Sequence, residues 1–157
     1  MKIYTATYSS PLGAIIIESD GECLTGVRFA KEKEELECQP STLQDIPIVT
    51  ETIHWLDDYF TCKQPRKVPS LNPHGTSFQK KVWTALFTID YGKTKTYGEI
   101  AKMVNCRSAQ AVGLAISRNP IALIIPCHRI ICADGSIGGY AYGIERKKQL
   151  LQMESTK

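Results

Sequence analysis

Long apolar runs are missing from this chain. No stretch approaches the roughly 20 residues that a membrane-spanning helix needs. The opening residues, MKIYTATYSSPLG, lack the apolar centre of a secretion signal. The protein is therefore expected inside the cell: in the cytoplasm, or in the nucleus of a eukaryote. Histidine is scarce, and His54, His74 and His128 stand far apart. The six cysteines, at 23, 38, 62, 106, 127 and 132, form no CxxC pair and no finger-type spacing with those histidines. That argues against a compact zinc site and, in a reducing compartment, leaves the cysteines as free thiols.

What is present is an ordinary globular composition, 43% hydrophobic and 22% charged. The 157 residues suffice for one good domain or two small ones. The net charge of +3 hides an asymmetry. Residues 1–75 set seven Lys/Arg against eleven Asp/Glu, a balance of −4; residues 76–157 set twelve against five, a balance of +7. A basic half fits either a polyanionic partner or a well-solvated face.

Taken in order, Lys2–Tyr8, Ala14–Ser19 and Leu24–Phe29 read as strands of an antiparallel meander, joined by Ser9–Gly13 and by Asp20-Gly21. Lys31–Glu37 is charged and expected at the surface. Ile48–Phe60 carries Val49, Ile53, Leu56 and Phe60 at helical spacing, with Pro47 at its start and Glu51, Asp57 and Asp58 on its wet face. Thr61–Gly75 holds three prolines and no periodicity, so it reads as a linker. The implied division is 1–72 and 73–157. Thr76–Gln79 and Thr96–Glu99 are capping boxes, each opening a helix. Tyr91-Gly92 is expected to end the first of these. Ser108 caps a third helix, Ala109–Ser117. The short connection Asn105–Ser108 gives the last two the proportions of a helix-turn-helix. AQAVGLAIS offers little to read base edges, and its small residues suit close approach to a groove. A plain helical hairpin inside a core fits equally well. Ile144–Met153 reads as a closing helix with Arg146, Lys147 and Lys148 near its start.

One stretch carries chemistry: Ile121–Arg129, IALIIPCHR. Its apolar run, bounded by Pro120 and Pro126, reads as a buried strand that delivers Cys127 to a pocket. A thiol must ionise to react, and His128 and Arg129 supply a base and a positive charge beside it. A buried, inert cysteine is the plainer alternative. Beyond it, Gly138–Gly143 interleaves glycine and tyrosine in a loop able to close over a flat ring.

Tyr97-Gly98-Glu99-Ile100-Ala101, Ala111-Val112-Gly113, Arg118-Asn119-Pro120, Ile125–Arg129 and Gly138-Gly139-Tyr140 together closely resemble the O6-alkylguanine-DNA alkyltransferases. That family is also called the methylated-DNA–protein-cysteine methyltransferases. The likeness covers about Thr76–Glu154, and the Ser10–Gly13 turn supports it. PCHR followed by GGY behind a helix-turn-helix is highly specific.

The resemblance implies an α+β fold, with an N-terminal domain of ribonuclease-H-like topology and a C-terminal helical domain. It implies direct, irreversible transfer of an alkyl group from O6-alkylguanine, and from O4-alkylthymine, in double-stranded DNA to Cys127, once per molecule. No metal or cofactor takes part, and the protein acts as a monomer. His128 would be the base, acting through a water, and Glu154 would orient it. Asn119 would brace the turn before the site, and Tyr97 would protonate guanine N3. Arg107, Ala109, Gln110, Ala111, Gly113, Arg118 and Arg129 would face DNA. The pocket would be formed by Ile130, Tyr140, Ala141 and Tyr142, with the carbonyls of Cys127 and Ile130 accepting from the guanine amine and the Ala141 N–H facing O6. Two residues depart from the family pattern: Gln110 stands where an arginine is usual, and Tyr142 where several relatives have a small residue. A non-catalytic sensor of alkylated guanine would lack the cysteine, and a thiol hydrolase would need an acyl pocket that nothing here suggests.

Overall fold

The computed structural model describes residues 3–31, 46–63 and 67–155. Tyr4–Ser10 (β1) and Gly13–Ser19 (β2) pair antiparallel, from Tyr4 opposite Ser19 to Ser10 opposite Gly13. Ser10 holds the two-residue connection: its Oγ donates to the Gly13 carbonyl at 2.6 Å and accepts from the Leu12 N–H at 3.1 Å. Asp20 builds the next turn, accepting from the N–H groups of Glu22 and Cys23 at 2.9 and 2.8 Å. Leu24–Phe29 (β3) follows, antiparallel to β2, so the sheet order is β1-β2-β3. The expected surface run Lys31–Glu37 lies, beyond Lys31, outside the described residues.

Pro47–Phe60 (α1) packs on this sheet. Its buried face is rotated from the one the aliphatic spacing suggests: Ile48, Val49, Thr52, Trp55, Leu56 and Tyr59 are inside, whereas Ile53 and Phe60 are half-buried. The cause is the aromatic pair Trp55–Tyr59, stacked 5.3 Å apart. Together these two rings bury more apolar area than Ile53 and Phe60 would. The expected linker is also more than a linker. Its Ser70 carbonyl accepts from Leu24 N at 2.7 Å, and Asn72 N donates to the Leu24 carbonyl at 2.8 Å, so this segment bridges onto the β3 edge.

The chain divides into two compact units. The first runs to His74 and includes Pro120–Ala122; the second comprises Gly75–Asn119 and the chain from Leu123 onward. In the second, Ser77–Phe87 (α2), Tyr97–Met103 (α3) and Ala109–Ser117 (α4) pack together. Both capping boxes form, around Thr76 and Thr96, and the Ser108 hydroxyl accepts from Ala111 N at 3.1 Å. Helix α2 stops at Phe87, short of Tyr91-Gly92, where the Thr88 hydroxyl takes the Ala85 carbonyl at 2.6 Å. The turn after α3 closes with Cys106 N on the Ala101 carbonyl and Asn105 N on the Lys102 carbonyl, and Asn105 takes φ 54°. That is a Schellman ending, with asparagine in the left-handed position it tolerates best after glycine. Trp83 ties α2 to α4 through Nε1–H to the Ala115 carbonyl at 2.9 Å. Gly75 makes room for that indole, since a Cβ there would collide with the ring.

Two short segments, Lys95–Thr96 (β4) and Ile130–Ile131 (β5), pair in parallel. They set the start of α3, and hence Tyr97, beside the segment that follows Cys127. The last helix, Ile144–Ser155 (α5), runs two residues beyond Met153 and so includes Glu154.

Candidate active site

The run Ile121–Ile125 is buried throughout, at 0–4% exposure, but it is not a strand. Ile121 makes one bridge to Val27, and the chain then turns, with Leu123 at φ 70°. A left-handed residue cannot continue an extended ladder, and Pro126 has no N–H to give one. Pro126 instead bends the chain at φ −83°, ψ 69°, an inverse γ-turn closed by Cys127 N on the Ile125 carbonyl at 2.9 Å. Cys127–Arg129 then form a single 3₁₀ turn, and all three side chains are buried.

Cys127 is 7% exposed and lines a pocket of about 280 Å³. The other lining residues are Tyr97, Gly113, Ile116, Ser117, Gly139, Tyr140 and Ala141. Burial pushes the Cys127 thiol up, while a hydrogen bond from the Asn119 side chain and the charge of Lys147 oppose that rise. Asn119 therefore does more than brace the turn. It also donates through Nδ2 to the Ile125 carbonyl at 2.7 Å.

Behind the thiol, His128 Nε2 lies 2.6 Å from Glu154 Oε2, and both residues are buried. Burial lowers the imidazole pKa, and Arg129 and Lys147 add to this; Glu154 pulls it back. Burial also works against the Glu154 carboxylate, but His128 and Arg129 together hold its pKa down at about 2. An ionised Glu154 fixes the tautomer of a neutral His128: Nε2 carries the proton and Nδ1 accepts one.

Arg129, expected on the DNA, is instead internal. Its Nε and Nη2 donate to the two Glu154 oxygens at 2.8 and 3.1 Å, and Nη1 donates to the Ile89 carbonyl at 2.7 Å. Its guanidinium lies 5.7 Å from the Tyr91 ring centroid. A buried carboxylate needs a compensating charge, and the planar guanidinium meets it with two parallel bonds.

The other expected residues divide. Tyr97, Tyr140 and Ala141 line the pocket, whereas Ile130 is fully buried in β5 and Tyr142 is outside the lining, its ring 5.5 Å from that of Tyr140. The Tyr140 hydroxyl is buried with no hydrogen-bond partner among the described residues. Burial raises the Tyr97 pKa, and the Cys132 and Cys127 thiols raise it further, so this phenol keeps its proton. Arg107, Ala109, Gln110, Ala111 and Arg118 are exposed on α4 or beside its ends, and Gly113 is half-buried against the Tyr97 ring.

Sequence reasoning missed Lys147. It reads as part of a basic helix start, yet it is fully buried and its Nζ donates to the Gly139 carbonyl at 3.0 Å. The signal was available in the spacing: Lys147, Leu150 and Glu154 are the inward face of α5, so two charged residues share a stripe with a leucine. Gly138, at φ 71°, sits where these groups converge. A Cβ there would lie 3.2 Å from Cys132 Sγ, 3.5 Å from Tyr97 Oη and 3.6 Å from Lys147 Nζ. Burial lowers the Lys147 pKa, while the Cys127 and Cys132 thiols favour its charge. Lys147→Met is expected to slow the reaction of Cys127 with iodoacetamide at neutral pH, because the thiolate loses a nearby positive charge and less of the thiol is ionised. The pH profile should move upward; an unmoved profile would show that the ammonium does not act on the thiol.

Among the described residues no helix is long and apolar enough to cross a membrane, and no three His, Cys, Asp or Glu side chains are grouped to hold a metal. The model of the 6-O-methylguanine DNA methyltransferase DNA-binding domain matches residues 77–156, and that of the ribonuclease-like domain of the same proteins matches residues 3–67. A Methanosarcina acetivorans protein named methylated-DNA–protein-cysteine methyltransferase is 44% identical over 155 residues, spanning 98% of this chain and 99% of its own. A protein of that name from Mycobacterium leprae is 42% identical, spanning 97% of this chain and 92% of its own. The solved structure of Mycobacterium tuberculosis OGT in complex with DNA is similar at a TM-score of 0.84 and 38% identity, covering 97% of this chain and 92% of that one.

Proposed function

The chain belongs to the O6-methylguanine-DNA methyltransferase family, and we propose from that premise that it repairs O6-alkylguanine, and O4-alkylthymine, in duplex DNA by moving the alkyl group onto Cys127. The observation that carries this reading is a thiol on the wall of a base-sized pocket, backed by Asn119, His128, Glu154 and Arg129. Guanine O6 is out of reach inside a stacked helix, so the base must be extruded, at a cost of a few kcal/mol. Helix α4 forms one pocket wall through Gly113, Ile116 and Ser117, so docking it in the minor groove places the pocket beside the extruded base.

The chemistry then follows from the local charges. His128 Nδ1 takes the thiol proton through a bridging water, and Glu154 stabilises the resulting imidazolium. Asn119 and Lys147 stabilise the thiolate. Sulfur attacks the alkyl carbon, the carbon–O6 bond breaks, and its electron pair passes to the purine. Tyr97 protonates guanine N3 as the base leaves. The thioether product is not reduced by cellular thiols, so each molecule acts once, as a monomer and with no cofactor. The carbonyls of Cys127 and Ile130 and the Ala141 N–H would hold the guanine edge.

Incubation with a duplex holding one O6-methylguanine should add one methylene mass per protein, on the peptide containing Cys127. Repeated turnover, or alkylation of Cys132 or Cys106, would defeat the reading.

Binding to DNA should depend on charge more than on sequence, because the second half carries the +7 balance and α4 offers few base-reading groups. Affinity is expected to fall with salt at a log–log slope of roughly −0.9 per neutralised phosphate. Titrations at several salt concentrations on the site and on shuffled duplexes check this. A strong preference for one sequence would contradict it.

A further inference from the structure

Helix α4 displays a leucine that packing does not account for. Leu114 is 55% exposed, the most exposed of the large apolar side chains among the described residues. Val112, Ala115 and Ile116 already satisfy the inward face of the helix. Gln110, also exposed, lies one turn earlier. At about 100° per residue the two side chains point within roughly 40° of each other, with their Cα atoms about 6 Å apart along the axis. Gly113 and Ser117, on the adjoining flank of the same helix, line the pocket that holds Cys127. The pocket and the Gln110–Leu114 ridge are therefore neighbours on one helix.

From this placement we propose that Leu114 is an apolar wedge that enters the base stack and, together with Gln110, occupies the gap left by the extruded nucleotide. The assignment rests on the repair reading above. The faces of stacked bases are apolar, and a gap between them favours an apolar side chain over water. The ridge spans about two base steps at 3.4 Å each, so Gln110 and Leu114 together cover the vacated position and its neighbour. Gln110 offers an amide to the orphaned partner base, and Leu114 offers the apolar bulk that keeps the stack parted. Its exposure in the free protein has a physical use: surface left in water here is surface removed from water on DNA.

The test separates extrusion from chemistry. Single-turnover transfer is measured on one oligonucleotide as a duplex, on the same strand alone, and on free O6-methylguanine base. Leu114→Ala keeps the helix and removes the wedge. It should lower the duplex rate on the order of tenfold, the scale on which burying an apolar side chain acts. The single-strand and free-base rates should stay within about twofold, because neither leaves a gap to fill. Leu114→Met restores bulk and should recover most of the duplex rate. Equal losses on all three substrates, or no loss on duplex, would overturn the assignment while leaving the repair reading intact. Wild-type protein that transfers nothing from any of the three would overturn both.

Discussion

Cys127→Ser is expected to abolish alkyl transfer, by on the order of a thousandfold or more, while leaving the protein folded and able to hold DNA. A serine hydroxyl is far harder to ionise than a thiol, and the neutral His128 behind it is too weak a base to make an alkoxide unaided. The fold should tolerate the change. The hydroxyl is slightly smaller than the thiol, and Asn119 can donate to oxygen as it does to sulfur. The change in thermal midpoint should therefore be small beside the loss of activity. Intact-mass spectra after incubation with O6-methylguanine duplex should show no added methylene, and a gel-shift titration should match the wild type. Transfer that survives on another cysteine would remove Cys127 from its role. The four other cysteines described here, Cys23, Cys62, Cys106 and Cys132, are also free, so the comparison is a real one.

Glu154→Gln should have the second-largest effect, on both stability and rate. The carboxylate accepts from His128 and twice from Arg129, and it is almost fully buried. Removing its charge leaves a buried guanidinium without a counter-ion, a change that costs about 3–5 kcal/mol. Urea denaturation should report that loss. Arg129→Met combined with Glu154→Gln should recover part of it, because no uncompensated charge then remains. Transfer should slow by roughly a hundredfold or more, since the imidazolium formed on His128 loses the carboxylate charge that stabilises it. A variant as stable and as fast as the wild type would show the ion pair to be incidental.

The same group sets the acid limb of stability. Glu154 titrates at about 2 when folded, against 4.5 ordinarily. Its contribution is therefore complete above pH 4.5 and is lost as pH falls towards 2, because the unfolded chain takes up the proton first. His128 acts in the same direction from a higher pH. Its folded pKa is depressed by burial below the ordinary 6.5, so acidification below 6.5 favours the unfolded chain, which can be protonated. Cys127 acts at the other end. Burial raises its pKa above 9.0, so the unfolded chain ionises first and stability falls as pH rises past 9.

The sequence by itself determined whatever depends on neighbours a few residues apart. The capping boxes at Thr76 and Thr96, the Ser108 cap and the Ser10 and Asp20 turns form because their donors and acceptors lie within about four residues of one another, and those two turns bring the three consecutive strands side by side. The motif around Cys127 was legible for the same reason, and Glu154 was named through the likeness to a family. Tertiary structure decided the rest. Lys147 and Arg129 look like surface charges in the sequence, and only the burial of Cys127 and Glu154 gives them partners worth the loss of water. Ile121–Ile125 has the composition of a strand, yet the packed core and two flanking prolines fold it into turns. Trp55 and Tyr59, stacked on each other, take places on the buried face of α1 that the spacing gave to Ile53 and Phe60. The pairing of β4 with β5, residues 95–96 with 130–131, brings Tyr97 beside Cys127 and has no trace in local pattern. Hydrogen bonds between segments so far apart are selected by the energy of the whole packed unit, which no short window of sequence contains.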